Sequence, residues 1–144
     1  MNDSVNLITD AISIALNGKF GDGYTNYTES VKQGLKEPCF FIFCINPTHE
    51  LFLGKRYFRE NQFCIQFFPA DKLQANAECH AVAEQLEFCL EWITVTGDLV
   101  HGTKMKYEIV DGVLNFFVNY DMFVYRRSES EPMEEISQDI GVKG

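Results

Sequence analysis

The sharpest alternation of apolar and polar positions runs through LVHGTKMKYEIVDGVLNFFVNYDMFVY, residues 99–125. Asp111-Gly112 sits between two alternating runs. A two-residue Asp-Gly loop favours a type I′ hairpin, because both central residues need positive φ. Placing Val110 opposite Val113 pairs Ile109 with Leu114, Tyr107 with Phe116, Met105 with Val118, Thr103 with Tyr120 and His101 with Met122. The other face pairs Glu108 with Asn115, Lys106 with Phe117, Lys104 with Asn119 and Gly102 with Asp121. A slip of one residue would set the apolar set of one strand against the polar set of the other. The register and one buried face are therefore expected, with His101 on the core side.

Two helices are predicted to lie against this hairpin. In 4–17, Val5, Ile8, Ala11, Ile12, Ala15 and Leu16 recur at helical spacing, with Asp3 or Ser4 to cap the start and Gly18 to end it. Leu7 and Ile14 widen the stripe, which suggests contact with the sheet and with a neighbouring subunit; a helix merely well buried on one sheet is the equal alternative. In 71–92, Cys79, Val82, Ala83, Leu86, Cys89, Leu90 and Ile93 form one stripe, and Glu78, Glu84, Glu87 and Glu91 decorate the outside. Further strands are expected at about 24–30, polar and at an edge, at 38–46 and at 61–69. CFFIFCI at 39–45 has no alternation, as in a strand buried on both faces. The fold class is thus α+β: a mainly antiparallel sheet of about five strands, ending with 99–110 and 113–126, with two helices packed on it.

Residues 46–61, NPTHELFLGKRYFREN, are read as a long excursion at the end of the hairpin that joins 38–46 to 61–69. Lys55, Arg56 and Arg59 interleave with Tyr57 and Phe58 in the one dense basic cluster of the chain. Arginine and aromatic side chains together suit a protein–protein contact; a solvated hairpin tip is the plainer alternative. LGKR lacks the glycine spacing and the Lys-Ser/Thr pair of a phosphate-binding loop.

Charge and chemistry narrow the function. Net charge is −9 over 144 residues, and five acids against Lys143 in 128–144 leave the body at about −5. An acidic body does not suit duplex binding, which needs cations to displace phosphate counterions. The 46% apolar content, with 13 Phe, supports one domain over 1–127, followed by an acidic, flexible tail over 128–144. Five cysteines without a CxxC motif, and no signal peptide, read as reduced thiols in a cytoplasm. No apolar run is long enough for a membrane span. His49, His80 and His101 share no ligand spacing, and no catalytic motif occurs. No enzyme, metal or cofactor is expected.

The strings EPCFFIFCINPTHELFLGKRYFRENQFCIQFFP and GTKMKYEIVDGVLNFFVNYDMFVY resemble a family of tail terminator, or tail completion, proteins of phages and prophages of Gram-positive bacteria, over roughly residues 5–127. The resemblance implies a structural protein that caps the head-proximal end of the tail tube and ends its polymerisation. It implies a hexameric ring of copies of the chain, contacts with the tail tube protein and the head–tail connector, and DNA passing through without specific binding. Assembly in the host cytoplasm would then place the protein in the virion tail. Under this reading the lumen-facing candidates are Glu78, Glu84, Glu87 and Glu91 on the second helix and Asn119 and Asp121 on the last strand. A generic α+β interaction module and a thiol- or metal-dependent enzyme are the alternatives.

Overall fold

A computed structural model describes residues 4–29 and 34–126. The chain runs α1 (Ser4–Phe20), β1 (Thr25–Tyr27), β2 (Cys39–Leu53), β3 (Arg56–Phe68), a 3₁₀ turn (Lys72–Gln74), α2 (Ala75–Cys89), β4 (Trp92–Val95), β5 (Asp98–His101), β6 (Thr103–Val110), β7 (Val113–Asn119) and β8 (Met122–Tyr125). The class is α+β, with a mostly antiparallel six-stranded sheet ordered β1-β2-β3-β7-β6. β8 also pairs with β3, and β4-β5 form a separate small hairpin. β1 is the edge strand and runs parallel to β2. The Asp3 cap and the segment 128–144 lie outside the described residues.

Both helices pack on one face of the sheet. Ile8, Ile12 and Leu16 of α1 and Cys79, Val82, Ala83 and Leu86 of α2 share one buried cluster with Phe40, Ile42, Phe63, Ile65, Phe67, Leu114, Phe116 and Val118. These strand residues alternate in sequence, so they lie on a single face. Phe20, Tyr24, Phe40 and Phe67 stack at one end of it, with ring centroids 5.0–6.0 Å apart. The opposite face carries Phe41, Phe43, Phe68 and Phe117, and among the described residues no helix lies over it. The apolar run at 39–45 is therefore not buried on both sides: Phe43 is 38% exposed.

Several boundaries differ from the sequence reading for local reasons. α1 passes through Gly18 and ends at Phe20, where Gly21 at φ 80° donates its N–H to the Asn17 carbonyl at 2.9 Å. Ile14, read as widening the apolar stripe beyond the sheet contact, is exposed, whereas Leu7 packs partly buried against the core. Asp71 caps a 3₁₀ turn through a 3.0 Å bond from the Leu73 N–H, and α2 proper spans only Ala75–Cys89. The Asp111-Gly112 turn has positive φ at both residues, and the pairs from Val110–Val113 to Lys106–Phe117 follow the expected register. Beyond them Lys104 adopts φ 54° in a bulge, and Thr103 pairs with Asn119 rather than Tyr120. The expected Gly102–Asp121 and Lys104–Asn119 pairs are lost with it.

Strand 99–110 is also split. Gly102 leaves the ladder and donates to the Glu91 carbonyl at 2.7 Å, so β5 turns away to pair with β4. His101 consequently faces outward: it stacks on Trp92 at 4.3 Å and lies 3.6 Å from the Glu91 carboxylate. Strand 113–126 breaks at Tyr120. The Tyr120 hydroxyl donates to the Leu90 carbonyl at 2.6 Å, and Asn61 accepts from the Tyr120 N–H while its side chain donates to the Tyr120 carbonyl. These bonds fix where β7 stops and β8 begins, both of them along β3.

Candidate functional site

The stretch read as an excursion is continuous strand. β2 and β3 run past the body with a bulge between Ile45 and Thr48, and they close in a tight turn at Gly54, φ 58°. All residues from Asn46 to Leu53 are exposed. At ~3.3 Å per residue, eight residues project by roughly 25 Å. β8 forms a third strand of this arm, pairing Arg56 with Tyr125, Tyr57 with Val124, Phe58 with Phe123 and Arg59 with Met122. The Arg126 N–H donates to the Lys55 carbonyl at 2.8 Å and closes the end.

Alternation sorts the arm into two faces. On the side away from the helices, Phe52 and Phe58 each lie about 5 Å from Phe123. The Arg56 guanidinium sits over this cluster, 4.1 Å from the Phe123 ring centre, 5.1 Å from Phe52 and 5.9 Å from Tyr125. Ring quadrupoles attract such a cation. On the other side His49 stacks on Tyr57 at 4.6 Å, and Arg59 reaches the His49 ring at 3.4 Å. Lys55 is exposed at the turn, while Arg56, Tyr57, Phe58 and Arg59 are half-buried, two on each face. Among the described residues neither Arg56 nor Arg59 makes an ion pair. The cationic cluster therefore lies on a framework that still exposes apolar surface: Phe52 is 56% and Tyr125 71% exposed.

The other candidates are dispersed. Glu84 and Glu87 lie within about 60° of each other on the outer face of α2, whereas Glu78 is about 120° or more around the helix. Glu91 follows the helix end, beside His101. Asn119 is only 7% exposed. The Asp121 carboxylate accepts the Asn61 N–H at 3.3 Å at the break between β7 and β8. Both are thus engaged in the chain's own framework. Phe123, Tyr125 and Phe52 were missed as partners of the cluster; the one signal was the short alternating run MFVY, but its pairing with β3 spans some sixty positions.

All five cysteines are free thiols. Burial pushes each of them up: Cys39, Cys64 and Cys89 reach about 11, with Glu37 adding at Cys39 and Glu108 at Cys64. Cys44 and Cys79 shift the same way, again mainly through burial. A thiol near 11 holds about a hundredfold less thiolate at pH 8 than one near 9. Alkylation of Cys39, Cys64 and Cys89 in the folded protein at pH 8 should therefore be at least about a hundredfold slower than in denaturant. The raised values also carry a stability consequence. The folded state holds its thiol protons longer than the unfolded chain, so stability is full below about pH 9 and falls as pH rises toward 11. Denaturation midpoints measured across that window check the sign. No three His, Cys, Asp or Glu side chains converge to hold a metal among the described residues.

The projecting arm thus gathers exposed aromatic and cationic side chains, the residue types enriched where proteins meet. The sequence matches the family model of phage tail terminator proteins over residues 7–132, most of the chain. The chain belongs to the phage tail terminator protein family, which makes it a structural protein of the phage tail and of virion assembly, acting among other tail and head–tail components. No curated protein matches it. No helix among the described residues is long and apolar enough to cross a membrane.

Proposed function

We propose that this protein caps the head-proximal end of the tail tube, ends its polymerisation and presents the surface that joins the head-side connector, as a hexameric ring around the DNA path. The observation that carries this reading is the arm. It holds Lys55, Arg56, Tyr57, Phe58 and Arg59 beside Phe52, Phe123 and Tyr125, clear of the body and partly unburied. An isolated monomer gains nothing from displaying such a patch, whereas an assembly protein buries it on its neighbour or on the tube. The DNA would pass a lining that does not hold it. A basic lumen would grip every phosphate, and the body's excess of acid is compatible with a neutral or acidic one.

Arg56→Glu combined with Arg59→Glu tests the role of the arm. The variant should fold, because neither residue belongs to the buried cluster, yet it should fail to pellet with tail tubes and should leave tails overlong. Raising salt should weaken the wild-type contact wherever it remains solvent-exposed. Normal tail lengths and normal infectivity in the double variant would remove the arm from the mechanism.

A further inference from the structure

Further exposed apolar residues gather where α2 ends and the β4-β5 hairpin begins. Phe88, on the last turn of α2, is 80% exposed, and Trp92 and Leu99 are more than half exposed on the β4-β5 hairpin that follows. The pairs Trp92–His101 and Thr94–Leu99 put Trp92 and Leu99 on one face, while Ile93 and Val95 turn into the core. Carboxylates accompany these residues: Glu84 lies one turn before Phe88, Glu87 precedes it, and Glu91 stands beside His101 at the start of the hairpin. Glu84 and Glu87 form no ion pair among the described residues.

The arm shows the converse arrangement. Its apolar centre of Phe52, Phe123 and Tyr125 is covered by the Arg56 guanidinium, with Lys55 exposed at the adjoining turn. It belongs to the sheet face turned away from the helices, whereas Phe88, Glu84 and Glu87 belong to the helix face turned away from the sheet. One chain cannot close these two patches on each other, because its own sheet and helix layer stand between them. Two copies can. A contact between unlike patches is heterologous, and its repetition generates a ring when the rotation closes.

We propose that the arm of each copy seats its Phe52–Phe123–Tyr125 patch on the Phe88–Trp92–Leu99 patch of the next copy, with Lys55 and Arg56 against Glu84 and Glu87. The inference rests on the ring reading above and names its subunit contact. Opposite charge fixes which patch meets which, since like patches would set cation against cation or carboxylate against carboxylate. It places the glutamates at 84 and 87 between subunits rather than on the lumen.

A charge-swap by mixing tests it. Lys55→Glu with Arg56→Glu, and separately Glu84→Lys with Glu87→Lys, should each keep the wild-type circular dichroism and each lose self-assembly by at least about tenfold in sedimentation, alone or on tail tubes. In an equimolar mixture, alternation around a ring restores opposite charge at every contact, so assembly should return. Assembly by either variant alone, or no recovery on mixing two folded variants, overturns the contact. If the arm variant misfolds, the wild type supplies the answer. Carbodiimide treatment of the assembled form, made from isotopically mixed protein, should join Lys55 of one copy to Glu84 or Glu87 of another. Links from Lys55 only to its own chain or to tube carboxylates refute the proposal. Intact rings from the lysine variant with slowed DNA release also refute it, by placing the glutamates in the lumen. The capping reading fails separately, if wild-type protein does not end tube growth even when the cross-link forms.

Discussion

Phe116→Ala is expected to lower stability by roughly 3–5 kcal/mol, the usual range for truncating a buried aromatic ring. Phe116 is fully buried, in the middle of the cluster shared by both helices. It pairs with Ile65 on one side and Tyr107 on the other, so the vacated volume is walled by ladder residues that cannot close inward without breaking backbone bonds. Phe117, its neighbour in sequence, faces the side without helices and is half-buried beneath the Lys106 ammonium, 5.6 Å away. Phe117→Ala should therefore cost much less in the free chain. Urea midpoints at constant slope measure both. Equal large losses would mean that the outer face is covered within the chain, contrary to the one-sided packing described above.

Gly102→Ala should be nearly as damaging, although it adds a single carbon. A Cβ at this position would stand 2.6 Å from the Leu90 carbonyl oxygen, 2.9 Å from Val118 Cγ2 and 3.1 Å from Tyr120 Cε1. The nearest atom is backbone, and it is the same carbonyl that accepts the Tyr120 hydroxyl bond at 2.6 Å. Overpacking alone costs about 1–3 kcal/mol. The displaced carbonyl would in addition strain a buried hydrogen bond worth roughly 1 kcal/mol. The Gly102 N–H bond to Glu91 would loosen too, and with it the point where β5 leaves the main sheet. Thermal unfolding together with amide exchange at residues 102 and 120 reads the effect. A variant within about 0.5 kcal/mol of wild type, the level of an ordinary surface substitution, would show that this junction has slack the geometry does not suggest.

The same junction marks where sequence reasoning stopped being sufficient. From Val110–Val113 to Lys106–Phe117 the register followed from two local facts, a turn that demands positive φ and an alternation that only one pairing satisfies. Beyond Lys106 the pairing depended on Gly102 being drawn to Glu91 and Tyr120 to Leu90, contacts contributed by the end of α2. No periodicity within 99–125 records them. His101, placed on the core side by simple alternation, faces out because its strand was pulled into another hairpin.

The arm failed to show itself for a different reason. Its sequence contained the basic and aromatic residues, but burial is what imposes alternation on a strand, and from Asn46 to Leu53 there is no burial. A solvated strand held by backbone ladder bonds reads as a loop. The acidic candidates illustrate the converse limit. Helical spacing alone separates Glu78 from Glu84 and Glu87, but that Asn119 is enclosed and Asp121 is tied to Asn61 depends on a contact across some sixty residues.

By itself the sequence determined the α+β class, the two helical stripes, the Asp111-Gly112 hairpin and the likeness to tail terminators, because each rests on short-range spacing or on extended runs of residues in order. Only the tertiary structure decided that both helices cover one face, that β8 completes the arm around Arg56, and that a cationic patch and an acidic patch stand on opposite sides of the chain. Those outcomes depend on which distant segments win the competition for β3 and for the ends of the sheet. That competition is settled by packing and backbone hydrogen bonding across the fold, not by local preference.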